Sequence, residues 1–155
     1  MTDGRLRADR ASRVSLEHAL RTVTQGEADW TAAQAEIVHM KAGFASIKRP
    51  IRASELNPNR TVSGPTLFWM CDAVFLVATL ATRGAGAESA TTTSMTINFL
   101  RAAAPEAIQA ECQILRSGKR LIVGEVRVFP VGKPDYIIAS ATGIFSAAAQ
   151  APEVE

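Results

Sequence analysis

The sequence is poor in the residues that staple, ligate or charge a protein. Only two of its 155 residues are cysteine and two are histidine. Cys71 and Cys112 sit inside apolar stretches, without metal-ligand spacing and without a histidine beside them, so neither a disulfide framework nor a metal site is expected. They read as reduced core thiols of a cytoplasmic protein. Net charge is scarce too. At +2 overall it is too small to argue for a nucleic-acid partner, although a local basic cluster can still meet an anion. Residues 1–10 are charged and no apolar segment follows them, so a secretory signal is not expected. The apolar run 67–81 falls short of the roughly 20 residues that span a bilayer, and Asp72 interrupts it, so no membrane partner is expected. His18, His39 and Trp30 carry no signal beyond surface or core packing.

What is there describes one ordinary globular domain: 47% hydrophobic and 21% charged residues in a chain long enough to bury about two-thirds of its unfolded surface. Over 13–40, Val14, Leu16, Leu20 and Val23, then Trp30, Ala33, Ile37 and Met40, recur at helical spacing, which predicts two short helices split by Gly26. Ile47 and Ile51 flank Pro50, whose ring nitrogen has no donor for a ladder, so 45–56 reads as an edge strand at best. The turn-rich Asn57-Pro58-Asn59-Arg60-Thr61 precedes Ser63-Gly64-Pro65, which starts a helix. That helix runs to about Thr82 and stops at Arg83-Gly84-Ala85-Gly86. Four runs rich in Thr, Val and Ile follow (91–101, 107–116, 119–129 and 136–145), and their short turns predict an antiparallel meander.

The resulting expectation is an α+β domain with one long helix lying across a sheet face. Its parts are an N-terminal helical extension (1–40), the α+β domain itself (41–147) and a polar tail (148–155). The long helix is apolar nearly all round, more than one sheet face can cover, which implies a second subunit. Asp72 in its middle is the anomaly. An ionised carboxylate is costly to bury alone, so it must be paired, protonated or facing a cavity. The plain reading is a structural carboxylate bonded to backbone N–H groups or to an arginine.

Asn57, the Ser63-Gly64-Pro65 turn, Asp72 and the segment Thr96-Ile97-Asn98-Phe99-Leu100-Arg101-Ala102 together resemble the hotdog-fold acyl-CoA thioesterases of the phenylacetyl-CoA (PaaI-like) type, over roughly residues 45–147. The resemblance implies a hotdog fold, a long central helix wrapped by an antiparallel sheet, here with extra N-terminal helices. It implies that the Gly64 N–H polarises a thioester carbonyl while Asp72 acts as base or nucleophile. Two positions depart from the family: Ser63 stands where a His is usual, and Pro65 replaces a second Gly and removes a backbone donor. Ser63 is either a helix cap or a carbonyl or water contact in place of the His. Asn57 either orients water or bonds the thioester oxygen, or is a turn residue. Thr92 falls where relatives place a hydroxyl that helps hold the attacking water, although Thr91-Thr92-Thr93 is also ordinary strand composition. Phe68, Trp69, Phe75 and Leu76 read mostly as core or dimer contacts, with one or two lining the acyl pocket; Phe68, with Pro65 beside it, is the candidate for substrate contact. Arg101, Arg116, Lys119 and Arg120 are either solvated hairpin charge or, as a cluster, candidates for the phosphates of coenzyme A.

Eight helical residues, about 12 Å, separate Gly64 from Asp72, so one thioester carbon cannot touch both in the same chain. The expectation is therefore a homodimer with composite sites, and dimers pairing into a tetramer, acting on acyl-CoA without metal or other cofactor. A non-catalytic acyl-CoA or acyl-ligand binding protein is the alternative. A hotdog dehydratase or hydratase ranks last, because its chemistry usually needs a His beside the acid.

Overall fold

The computed structural model describes residues 11–26 and 29–147; the tail 148–155 lies outside them. Helix α1 (Leu16–Gly26) is followed by strands β1 (Glu36–Lys41) and β2 (Phe44–Pro50), the long helix α2 (Gly64–Arg83), and strands β3 (Thr91–Phe99), β4 (Ala107–Ser117), β5 (Leu121–Pro130) and β6 (Ala139–Ser146). The strands form one six-stranded antiparallel sheet in the order β1-β2-β4-β5-β6-β3, with α2 packed on its inner face. This is the expected hotdog arrangement.

Three details differ from the sequence reading. Among the described residues there is no second N-terminal helix. Residues 29–35 form turns, with Gln34 at φ 54°, and 36–41 is a strand, so the sheet begins inside the stretch assigned to the helical extension. A register shift between Ile37 and His39 accounts for the difference: the extra residue turns the two-residue period of a strand into a three-residue spacing, and Ile37 and Met40 both face the core. β2 is not an edge strand; β1 flanks it on one side and β4 on the other, and Pro50 is tolerated because it is the last residue. The meander holds for β4-β5-β6 only. After β3 the chain crosses to β4 past the start of α2, where the Val62 N–H donates to the Ala103 carbonyl (2.9 Å), so β3 lies on the far edge beside β6.

Helix α2 begins where Ser63 caps it: the Thr66 N–H donates to Ser63 Oγ at 3.4 Å, and Pro65 follows in the first turn. It ends at Gly84, whose φ of 84° suits glycine. Its 20 residues are long and apolar enough to cross a membrane, yet 14 of them are buried inside the domain. The sheet covers one side. Helix α1 covers part of another through Ala19 and Val23, and the Arg13 N–H donates to the Ala81 carbonyl at 2.8 Å. Among the six residues of α2 that are not buried, Pro65, Phe68 (43% exposed) and half-buried Asp72 form a narrow stripe along one side.

Phe75 packs directly against the sheet backbone. Gly124 and Gly143 are cross-strand partners, and a Cβ built on either would meet the Phe75 ring at about 3.0 or 2.9 Å. The ring also stacks on Phe145, centroids 4.2 Å apart. Only glycine lets the helix come this near. Replacing Gly143 with Ala should therefore cost about 1–3 kcal/mol by overpacking; a drop in urea midpoint at unchanged slope would show it.

A second device anchors the loop before α2. Arg49, buried in β2, pairs with Glu55, which also accepts from the Arg52 side chain (2.9 Å) and backbone (2.9 Å), and Arg49 lies over the Trp69 ring at 5.1 Å. Burial opposes ionisation of Glu55, but the hydrogen bonds from Arg52 and Arg49 outweigh it and hold the carboxyl down to about 2. A carboxyl depressed in the fold stabilises above its unfolded value near 4.5 and loses that contribution as pH falls toward 2. Glu55→Gln should thus lose about 3 kcal/mol or more at pH 7, by stranding Arg49. Denaturant titrations at pH 7 and pH 2.5 should show that penalty shrinking in acid.

Candidate active site

The sequence candidates fall into three groups set by the course of α2. At its start lies a recess of about 280 Å³, lined by Asn57, Gly64, Leu67, Phe99, Leu100 and Arg101 among others. The Gly64 N–H has no protein acceptor among the described residues. It belongs to the positive end of a 20-residue helix. The Phe99 ring stands 3.4 Å from where a Gly64 Cβ would be, ordinary contact distance for a methyl group, so the ring forms one wall of the recess at Gly64.

Two other candidates at this end are already engaged. Asn57 Nδ2 donates to Thr61 Oγ1 (2.8 Å), and Asn57 Oδ1 accepts from the Thr61 N–H (3.1 Å). Its amide braces the 57–61 turn, the plain reading of that residue. Ser63 Oγ lies on the Thr66 N–H and 2.9 Å from Thr66 Oγ1, so its hydroxyl serves the helix cap. Pro65 is exposed beside it.

The second group lies two turns along. Asp72 is half-buried, and its only hydrogen bond among the described residues comes from Thr92, whose hydroxyl donates to Asp72 Oδ1 at 2.5 Å. No arginine or lysine pairs with it among those residues. Thr92 reaches it because β3 slips register between Thr92 and Ser94, an irregularity that re-aims a side chain. Of the carboxylate's two oxygens, one is held by a neutral donor and the other has no protein donor among the described residues. The neighbouring thiol is no rival nucleophile: burial, with the Asp72 charge adding to it, pushes Cys71 up to about 12. Burial likewise drives Cys112 well above the usual thiol range.

The third group is the β4–β5 hairpin, where Arg116, Lys119 and Arg120 are exposed. It sits at the opposite end of α2 from the recess, about 30 Å away along a 20-residue helix. Arg101 and the hairpin cations of one chain therefore do not form one cluster. Sequence reasoning missed the residue that holds this turn. Arg83, at the helix end, donates to Ser117 Oγ (3.4 Å), the Lys119 carbonyl (3.1 Å) and the Gly118 carbonyl. Its position in the last helical turn hinted only at a dipole contact. It also missed Tyr136, over whose ring the Arg101 guanidinium carbon lies at 4.8 Å.

Residues 59–134 match the family model of the thioesterase superfamily, a stretch that carries Gly64, Asp72, Thr92 and Arg101. Over that stretch the chain is similar to the thioesterase superfamily, and its fold is the hotdog, with the PaaI-like arrangement of elements. Among solved structures, it is similar to the Escherichia coli PaaI protein from the phenylacetic acid degradation operon, at 23% identity and TM-score 0.71, covering 84% of this chain and 95% of that one. It is also similar to a hypothetical thioesterase with coenzyme A from Streptococcus pneumoniae, at 20% identity and TM-score 0.72, covering 83% and 98%. A conserved protein from Pseudomonas aeruginosa gives 24% identity and TM-score 0.70, covering 78% and 94%. At these identities the structural likeness speaks for the fold. The curated protein sequences give no match.

The Arg83 clamp can be tested on its own. Arg83→Ala should lower stability by about 1–3 kcal/mol, the loss of hydrogen bonds from a charged donor. Amide hydrogen exchange should quicken at Gly118 and Leu121 while the α2 core stays protected.

Proposed function

We propose that this protein hydrolyses acyl-CoA thioesters in the cytoplasm, at sites completed across a homodimer. The observation that carries the reading is Asp72: a half-buried carboxylate on the uncovered stripe of an apolar helix, held by one hydroxyl. A structural carboxylate would have an arginine or several backbone donors; this one keeps an oxygen for a reactant.

In the proposed reaction the thioester carbonyl oxygen accepts from the Gly64 N–H of one subunit, where the helix dipole favours the developing oxyanion. Asp72 of the other subunit takes a proton from water as the water oxygen bonds to the carbonyl carbon. Collapse of the tetrahedral intermediate breaks the carbon–sulfur bond, and the departing thiolate recovers the proton. A direct attack by Asp72, through an anhydride that water then opens, uses the same groups. Thr92 fixes the orientation of the carboxylate in either course.

Two features support the second subunit. Gly64 and Asp72 are about 12 Å apart along one helix. The edge strand β3 is nine residues long, largely exposed, and free of proline and of charge, which leaves a row of backbone groups ready to pair with another chain. The S. pneumoniae relative, a hypothetical thioesterase with coenzyme A, is in keeping with an acyl-CoA substrate. A binding protein without turnover is the second reading, favoured by one observation: the Asn57 amide and the Ser63 hydroxyl are both spent on local structure.

Thiol release from a panel of aryl and fatty acyl-CoAs separates the two. The hydrolase should turn over at least one class, and Asp72→Asn should cut kcat about 10²- to 10⁴-fold with folding intact. Coenzyme A binding with no turnover on any of the panel would establish the binding protein instead, and full activity in a monomer would sink the composite site.

A further inference from the structure

The arginines of this chain differ in what they touch. Arg49 and Arg52 meet Glu55, Arg127 meets Glu111 and Arg21 meets Glu17. Among the described residues no carboxylate pairs with Arg101; its guanidinium lies over the Tyr136 ring, 4.8 Å from the centroid, at the rim of the recess that holds Gly64. The distinction is chemical. A carboxylate consumes the N–H donors and neutralises the charge. An aromatic face attracts the cation without neutralising it, and among the described residues the Arg101 guanidinium has no hydrogen-bond acceptor, so its donors stay free for a two-point contact with a phosphate.

The platform is rigidly mounted. Tyr136 lies in the loop between β5 and β6, where the Lys133 N–H donates to the Pro130 carbonyl (2.9 Å) and the Tyr136 N–H to the Lys133 carbonyl (3.0 Å). Gly132 takes the left-handed φ of 83° that the turn requires. Two residues beyond Tyr136, the buried Ile138 donates its N–H to the Val128 carbonyl (2.8 Å). Its own carbonyl accepts from both the Leu100 (2.9 Å) and Arg101 (3.3 Å) N–H groups. Residues 136–138 therefore hold Arg101 twice, by its backbone and by its side chain.

We propose that Tyr136 is a positioning residue for substrate recognition, holding Arg101 with its donors toward the phosphate-bearing end of the thioester's carrier. The inference rests on the thioester reading of the site. Pre-orienting a long side chain removes the entropy of ordering it on binding, so the effect belongs in KM and in the phosphate-bearing part of the substrate.

The test compares one acyl group on coenzyme A, on 4′-phosphopantetheine and on pantetheine, which has no phosphate. Tyr136→Leu should raise KM for acyl-CoA about three- to tenfold with kcat within about twofold, leave acyl-pantetheine unchanged, and be rescued by Tyr136→Phe. An effect on the phosphopantetheine ester would mean the carrier-linked phosphate is the one recognised; an effect on acyl-CoA alone would mean the nucleotide phosphates. Arg101→Gln should raise KM for acyl-CoA likewise, a result independent of how Tyr136→Leu folds, and adding Tyr136→Leu to it should do nothing more. Calorimetry with coenzyme A itself repeats the comparison without turnover, so a failure of the hydrolase reading stays distinct. Equal losses on acyl-CoA and acyl-pantetheine, no rescue by Phe, or unchanged coenzyme A affinity in both Tyr136→Leu and Arg101→Gln would overturn the proposal.

Discussion

The Phe75 ring, seated on the Gly124–Gly143 pair and stacked on Phe145, is the contact on which the arrangement depends. Two adjacent strands give up their side chains at one spot so that a helix can approach them. That fixes both the separation of α2 from the sheet and the helix's roll about its own axis. Once the roll is set, Asp72 has to emerge on the uncovered stripe beside β3, within reach of Thr92. Gly64 has to open into the recess beneath Phe99, two turns away.

Charge is handled in two opposite ways. Around Glu55 it is closed off: two arginines, a backbone N–H and an indole ring complete each other, and the result is a brace. At Asp72 and Arg101 it is left open, the anion held by one hydroxyl and the cation by one aromatic face. A neutral partner orients a charge without cancelling it, which a structural ion pair cannot do. The open groups face the recess and the uncovered stripe, while the closed one lies under the loop that supports them.

Much of this was legible in the residues. The limits of α2 follow from local chemistry, the Ser63 cap, Pro65 in the first turn and Gly84 at the end, and these operate within a few residues. The run of strands after it follows from composition and turns. The N-terminal half was less legible. Ile37 and Met40 mimic a helix because a bulge changes their spacing, and Pro50 suggests an edge where it merely closes an inner strand. Bulges and strand neighbours are settled by the partner strand, which a local pattern does not contain. The site divides the same way. Asp72 announces itself as a carboxylate in an apolar run, whereas Arg83 and Tyr136 look like ordinary surface residues until the fold brings the β4–β5 turn to one and Arg101 to the other.

By itself, then, the sequence determined α2 and the strands after it, the anomalous acid and the roughly 12 Å between it and the helix start, because helix geometry converts residue number into distance without reference to anything else. Only the tertiary structure decided the strand order, which puts β3 at an edge. It also showed that the cations read as one group stand at opposite ends of α2, and it gave each open charge its neutral partner. Those outcomes depend on contacts between residues far apart in the chain: 20 positions from Asp72 to Thr92, and further from β3 to its neighbour β6.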